Sequence, residues 1–359
     1  MQGLWFDGRY IDPVHPDGIS RYSLGLITAT LELSELTVII DRDEQADVLP
    51  SHPNLRIYRA NKLTSPRELT LGLRLNSEGV RVLFSPMQTT LMLGRRFKLV
   101  STLHDLIYYR HRQPPGGFNP LIRAIWYLYH LVYWPQRLML NAADAISTVS
   151  ETSADQIRMA RLTRRPLHVI HNASFAPIKL SRKNRSSSKQ LIYMGSFIDY
   201  KNVETLIRGM GLLPEHQLLL LSRISSERKA ELEQLADRVQ ANVKFLGGVD
   251  DETYQALLDQ SQALVSASLD EGFGIPVVEA MSHGCPVVLS NIAIFEEVAG
   301  VAGLRFEPLD PEGFASQVRQ LDDPEVWKLQ SRLGIDQAKF FTWEDSAELL
   351  FELCEELLS

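Results

Sequence analysis

Residues 270–288 read DEGFGIPVVEAMSHGCPVV, and most of these positions have a backbone reason to be what they are. Gly272 and Gly274 let the chain approach a ligand closely. Pro276 suits the first helical position, where its missing N–H costs little. Gly284 ends the helix before the next apolar run, CPVV, begins a strand. The segment therefore predicts a strand, a glycine loop, a helix N-terminus and another strand. The N–H groups and dipole at such a helix start favour an anion such as a diphosphate. Glu271 precedes the glycines and Glu279 lies one turn into the helix. As hydroxyl acceptors, Glu271 suits a sugar ring and Glu279 a ribose diol. Two other readings stand beside this one. One is a tight turn carrying solvated acids. The other is a glycosidase pair, which needs carboxyl groups roughly 5 to 9.5 Å apart across a scissile bond; the loop and helix instead place these two acids along one extended ligand.

Outward from this segment the same rhythm recurs. LTVII (36–40), VRVLFS (80–85), FKLVSTLH (97–104), AISTVS (145–150) and PLHVIHN (166–172) are β-like runs separated by helical stretches. After the polar, Ser-rich SRKNRSSSKQ (181–190), LIYMGS (191–196), QLLLLS (217–222), VKFLGG (243–248), ALVSAS (263–268) and CPVVLS (285–290) resume it, with two closing helices after them. This alternation predicts parallel sheets covered by helices. A chain of 359 residues, 45% apolar, exceeds what a single core usually supports, roughly 250 to 300 residues. The expectation is two domains, 1–172 and 191–340, joined by a solvated linker at 173–190 and followed by a closing segment at 341–359. Ligands of such sheets bind at the carboxyl ends of the strands.

Residues 1–172 carry a net +5 and the remainder −12, within an overall −7. A basic N-terminal half suits an anionic acceptor or a membrane surface, although uneven charge is common between ordinary domains. PLIRAIWYLYHLVYWPQRLML (120–140), with Arg123 and Arg137, reads either as a membrane-interface face or as a helix packed on its own sheet. Basic MARLTRR (159–165) adds to the first reading. No apolar run reaches the roughly 20 residues of a membrane span, and the start lacks a signal-peptide pattern, so a cytoplasmic location is expected, with peripheral membrane contact as an option. Cys285 and Cys354 fit a reducing compartment, and no Cys or His spacing suggests zinc. No nucleic-acid partner is expected. The lack of an early G-x-G-x-x-G argues against a Rossmann oxidoreductase.

The E-x7-E motif from Glu271 to Glu279, with GFG after the first acid, resembles that of the retaining GT-B glycosyltransferases of family 4. HPDGISRY (15–22), TLHDLIYY (102–109), GSFIDYKNVETLI (195–207), SNIAIFEEVAG (290–300) and FTWEDSAELLFE (341–352) are similar to further elements of that family, in order. The resemblance implies two Rossmann-like domains facing across a cleft, with the C-terminal helix crossing back to the N-terminal domain. It also implies metal-independent transfer of a hexose from a nucleotide sugar, without another cofactor, to a glycan or lipid-linked acceptor. By resemblance, Glu271 contacts the transferred hexose, Glu279 the ribose, and the backbone of Gly272, Phe273 and Gly274 the sugar and phosphate. Lys201 meets the diphosphate, Gly18 meets it from the N-terminal lip, and His104 sits near the anomeric and C6 region. Gly248 and Val249 are expected at the base. Ser196 stands where many members carry a phosphate-binding Arg; Arg223 is the candidate replacement, and a plain surface arginine is the alternative. The overall pattern most resembles bacterial mannosyltransferases of polysaccharide or lipid-linked saccharide assembly. GDP-mannose is thus the first donor expectation, with UDP-hexoses and dTDP-rhamnose as alternatives, and a catalytically weak carbohydrate-binding relative is the other class. Asp41-Arg42-Asp43 spells the D-x-D of metal-dependent transferases, but its place after LTVII reads as an acidic strand-end loop.

Overall fold

The computed structural model describes residues 3–114, 119–176, 178 and 185–359. The chain divides into two compact units, Met1–Ala173 with Thr342–Ser359, and Ser174–Phe341. Each is a parallel sheet covered by helices.

Unit 1 holds seven strands: β1 (Leu4–Asp7), β2 (Leu36–Ile40), β3 (Leu55–Arg59), β4 (Val82–Ser85), β5 (Lys98–Thr102), β6 (Ala145–Thr148) and β7 (Leu167–Val169). Their order is β3-β2-β1-β4-β5-β6-β7, all parallel. The central strands are buried on both faces, which is why VLFS and AIST read as continuous runs without polar alternation. The strand order reverses between β1 and β4, and β1 leads into the helix Gly18–Leu33. The closing helix Trp343–Leu358 packs on that helix. A Cβ at Gly25 would lie 2.1 Å from Cε2 of Trp343, so glycine there makes room for the indole. Ser346 Oγ donates to the His171 carbonyl (2.9 Å), and Thr342 caps the helix by accepting from the Asp345 amide.

Unit 2 holds β8 (Gln190–Tyr193), β9 (Gln217–Leu220), β10 (Val243–Phe245), β11 (Ala263–Ser266), β12 (Val287–Ser290) and β13 (Gly303–Phe306), in the order β10-β9-β8-β11-β12-β13. Its core joins Leu191, Tyr193, Leu218 and Val265, alternate positions on one face of the sheet, with Leu206 and Trp327 from covering helices. The order reverses between β8 and β11, so the loops leaving these two strands flank the switch point.

Three expectations need correction. The segment after β12 contains β13 and four helices, Ala293–Ala299, Pro311–Gln320, Pro324–Ala338 and Trp343–Leu358, rather than two. Gly303 and Arg305 hide β13 from a search for apolar runs. The connection is not solvated throughout. Arg185 and Ser186 are buried, and the Arg185 guanidinium donates to the carbonyls of Leu258 (2.6 Å), His283 (3.2 Å) and Gly284 (2.9 Å) while lying over the Trp327 ring at 5.0 Å. A cation with three carbonyl partners and an aromatic face is stable inside, whatever the composition around it suggests. Residues 177 and 179–184 of the expected linker lie outside the described residues. Finally, the covering-helix reading of 120–140 holds only in part: the helix Pro120–Tyr129 has no buried residue and meets the core through half-buried Tyr129, whereas Gln136 and Leu140 of the next helix are buried.

Candidate active site

In unit 2 every predicted donor residue lies on a loop leaving the carboxyl end of a strand or on the helix that follows. Ser196 follows β8, Arg223 follows β9, Gly248 and Val249 follow β10, and Glu271 to Gly274 follow β11. Lys201 closes a short 3-10 turn after β8. The Lys201 ammonium meets Glu271 Oε1 at 2.5 Å, with both side chains about 15% exposed (15% and 14%). Ser268 Oγ donates to the same oxygen at 2.9 Å. The two residues that the sequence placed on a diphosphate and a hexose thus form one polar centre, at the switch point.

Asn202 explains why Lys201 is held there. Its backbone is left-handed (φ 49°), a conformation Asn tolerates better than most residues. Its side-chain amide donates to the carbonyls of Ala267 (3.0 Å) and Pro308 (2.6 Å), and Thr205 Oγ1 donates to its Oδ1 (2.9 Å). The Leu269 amide donates to the Tyr200 carbonyl (2.7 Å). Four hydrogen bonds thereby weld the Lys201 loop to its surroundings, and two of them join it to the β11 loop. Ser290 Oγ donates to the Ser268 carbonyl (2.6 Å), fixing the acid's other support.

The helix Ile275–Ser282 starts at Gly274, whose φ of 93° requires glycine, and no side chain caps it. Phe273 turns inward, edge-on to Phe341 at 5.4 Å, which leaves its backbone as the part able to face a ligand. Glu279 is 6% exposed, one turn into this helix. Behind Ser196, the Tyr193 hydroxyl donates to the Ser196 carbonyl (2.6 Å) and a Cβ at Gly195 would sit 2.7 Å from that hydroxyl. Arg223 is exposed and its stem lies over Gly248, where a Cβ would come within 2.9 Å of Arg223 Cγ.

Gly18 and His104 belong to unit 1. Gly18 opens the helix Gly18–Leu33 with nothing within 4 Å of where its Cβ would be, while Asp17 caps the helix by accepting from the Ser20 amide (2.8 Å). His104 follows β5. Its Nε2 lies 2.8 Å from the Pro86 carbonyl, which makes Nε2 the protonated nitrogen and leaves Nδ1 as an acceptor. Tyr22, one turn past Gly18, meets the imidazole edge-on at 5.2 Å. Burial holds the His104 pKa below 6.5, against the opposing pull of the Pro86 carbonyl and Asp17, so the ring is neutral at pH 7.

Asp41 lies 3.4 Å from the Arg42 guanidinium, and Asp43 pairs with Arg59. Among the described residues no three His, Cys, Asp or Glu side chains gather as a metal site. Sequence reasoning missed Asn202, Ser268, Ser290, Tyr193 and Tyr22. Asn202 had a signal, an Asn directly before a helix start, whereas the serines are ordinary members of apolar runs.

A family model for glycosyl transferases group 1 matches residues 188–323, and one for glycosyltransferase family 4 matches 16–173. The chain is a GT-B fold glycosyltransferase related to these enzymes. It is 30% identical over 224 residues to O-antigen chain mannosyltransferase B of Escherichia coli, an alignment covering 57% of this chain and 59% of that protein. It is 25% identical over 325 residues to O-antigen chain mannosyltransferase RfbU of Salmonella typhimurium, covering 85% and 87%. Sucrose-phosphate synthase from Thermosynechococcus elongatus shares the fold with a TM-score of 0.78 at 21% identity, over 100% of this chain and 99% of that one. Among the described residues no helix is long and apolar enough to cross a membrane.

Proposed function

We propose that this glycosyltransferase moves mannose from GDP-mannose, with retention, to a glycan or lipid-linked saccharide of polysaccharide or glycolipid assembly. The observation that carries the reading is the Lys201–Glu271 pair at the switch point, beside a helix start capped by glycine. Donor binding exchanges partners: the ammonium passes from the carboxylate to the diphosphate, and the carboxylate takes a sugar hydroxyl. The bond from C1 to the donor phosphate oxygen breaks as the acceptor oxygen bonds to C1 on the same face. The acceptor proton passes to the departing phosphate oxygen. Lys201 and the helix dipole offset the charge that develops there, a role that needs no metal. Neutral His104 offers an acceptor atom rather than a charge. The names of the two mannosyltransferase relatives support mannose over other hexoses, and the resemblance supports retention. Ser196, in place of an arginine, favours a second reading in which nucleotide is bound but turned over weakly.

A thermal-shift panel of GDP, UDP, dTDP and NAD with and without EDTA separates these. Ligand at 100 times its dissociation constant stabilises by about 2.7 kcal/mol. A GDP-selective shift that EDTA leaves unchanged and Glu279→Ala abolishes is expected; a divalent-ion requirement overturns the metal-independent assignment. The anomeric configuration of the product, read by NMR, tests retention, and a normal shift without product gives the second reading.

A further inference from the structure

Of the two readings of 120–140, the covering-helix one holds least well at 120–129. In the helix Pro120–Tyr129, Trp126, Tyr129 and the following His130 turn towards Tyr108, Tyr109 and Gln136. Its aliphatic residues face solvent, including Leu121 (71% exposed), Ile125 and Leu128 (62%). The next helix, Trp134–Ala142, continues the face with Trp134 (59% exposed) and Leu138. Aliphatic side chains on one helix face belong in a core, and an exposed cluster of this kind marks an interaction surface.

Charge says what covers it. The segment from Leu106 to Ala143 contains no Asp or Glu, but it contains Arg110, Arg112, Arg123 and Arg137, and a basic turn adjoins it. That turn is joined directly: Arg137 donates to the carbonyls of Ala160 (2.9 Å) and Arg161 (3.1 Å), setting the exposed Arg161, Arg164 and Arg165 beside the second helix. An apolar face with arginines around it and no carboxylate within it fits an anionic bilayer surface, where aliphatic side chains enter the acyl boundary, Trp lies at the headgroups and arginines meet lipid phosphates. A twofold contact with a second copy would set the same arginines against one another with no acid between them.

We infer that the helices Pro120–Tyr129 and Trp134–Ala142 dock unit 1 onto an anionic lipid surface. This goes beyond the transferase reading, and its test uses no nucleotide, so either can fail alone. Co-sedimentation of the full chain is compared on vesicles of phosphatidylcholine and of phosphatidylcholine mixed with phosphatidylglycerol. The expected result is binding to the mixed vesicles at low salt, weakened at least about tenfold by Arg112→Glu/Arg123→Glu. Leu121→Ser/Leu128→Ser, on exposed positions that leave the core alone, weakens it to a similar degree, and an unchanged circular dichroism melt shows that both variants fold. No binding, equal binding to both vesicle types, or variants that bind like the parent overturn the inference. So does a dimer in sedimentation equilibrium that Leu121→Ser/Leu128→Ser dissolves, because it gives the face to a second copy.

Discussion

The two units use one architecture and treat their strand-end loops differently. In unit 2, the Lys201 loop is bound to its surroundings by hydrogen bonds from Asn202, Thr205 and Leu269, and its charge is matched by Glu271. In unit 1, His104 has one carbonyl partner at its ring, an aromatic edge from Tyr22 and no charge at neutral pH. The first arrangement keeps an ammonium in place before any ligand arrives; the second keeps an imidazole neutral and oriented. Electrostatic stabilisation of a leaving group depends on such preorganisation, whereas an orienting contact depends on shape and tautomer.

The largest expected effect comes from Lys201→Ala. If the charge in unit 2 offsets the leaving diphosphate, turnover falls roughly 100- to 1,000-fold, as for loss of other preorganised donors; a steady-state transfer assay showing less than a tenfold loss would break the contrast. Next in size is Asn202→Ala. It removes three side-chain hydrogen bonds and forces a left-handed Ala, for a cost of about 2–3 kcal/mol in urea unfolding of unit 2. Asn202→Gly removes the same bonds without the backbone strain, so it should cost about 1 kcal/mol less. Equal losses would show that the conformation matters little. The smallest effect sharpens the unit 1 side. The unfolded chain protonates His104 near pH 6.5, while the buried ring resists, so the unfolded state binds more protons below that value. The contribution to stability is full above pH 6.5 and is lost as pH falls towards the lowered folded value. His104→Gln should flatten that part of a stability-versus-pH profile measured by denaturant titration, and an unchanged slope would remove His104 as its source.

Much of this was legible in the residues. LTVII is β2 to the residue, and the other quoted runs each contain a strand, except LIYMGS, which starts one residue inside β8. The strands that escaped have physical reasons. β3, LRIYR, is an edge strand with its charged side chains exposed, so it shows no apolar run. β1 is four fully buried residues at the very start, LWFD, with no flanking pattern to announce it. In the site, the acids, glycines and lysine could be found because charge and backbone freedom mark them. Their supports could not, because Ser268 and Ser290 differ from core serines only in the register that turns them to Glu271 and its loop.

Arg185 carries a consequence for how this protein could be taken apart. The helix Ile275–Ser282 spans about 12 Å, with its start at the glycine loop and its end at the His283 and Gly284 carbonyls that the Arg185 guanidinium holds. The same cation therefore balances the negative pole of the helix whose positive pole faces the candidate donor site. An excised donor unit begun at β8, where composition draws the boundary, would fold without that counter-charge and without the donor to the Leu258 and His283 carbonyls, while Gly284 would keep only Ser331 Oγ. One begun before Arg185 keeps both.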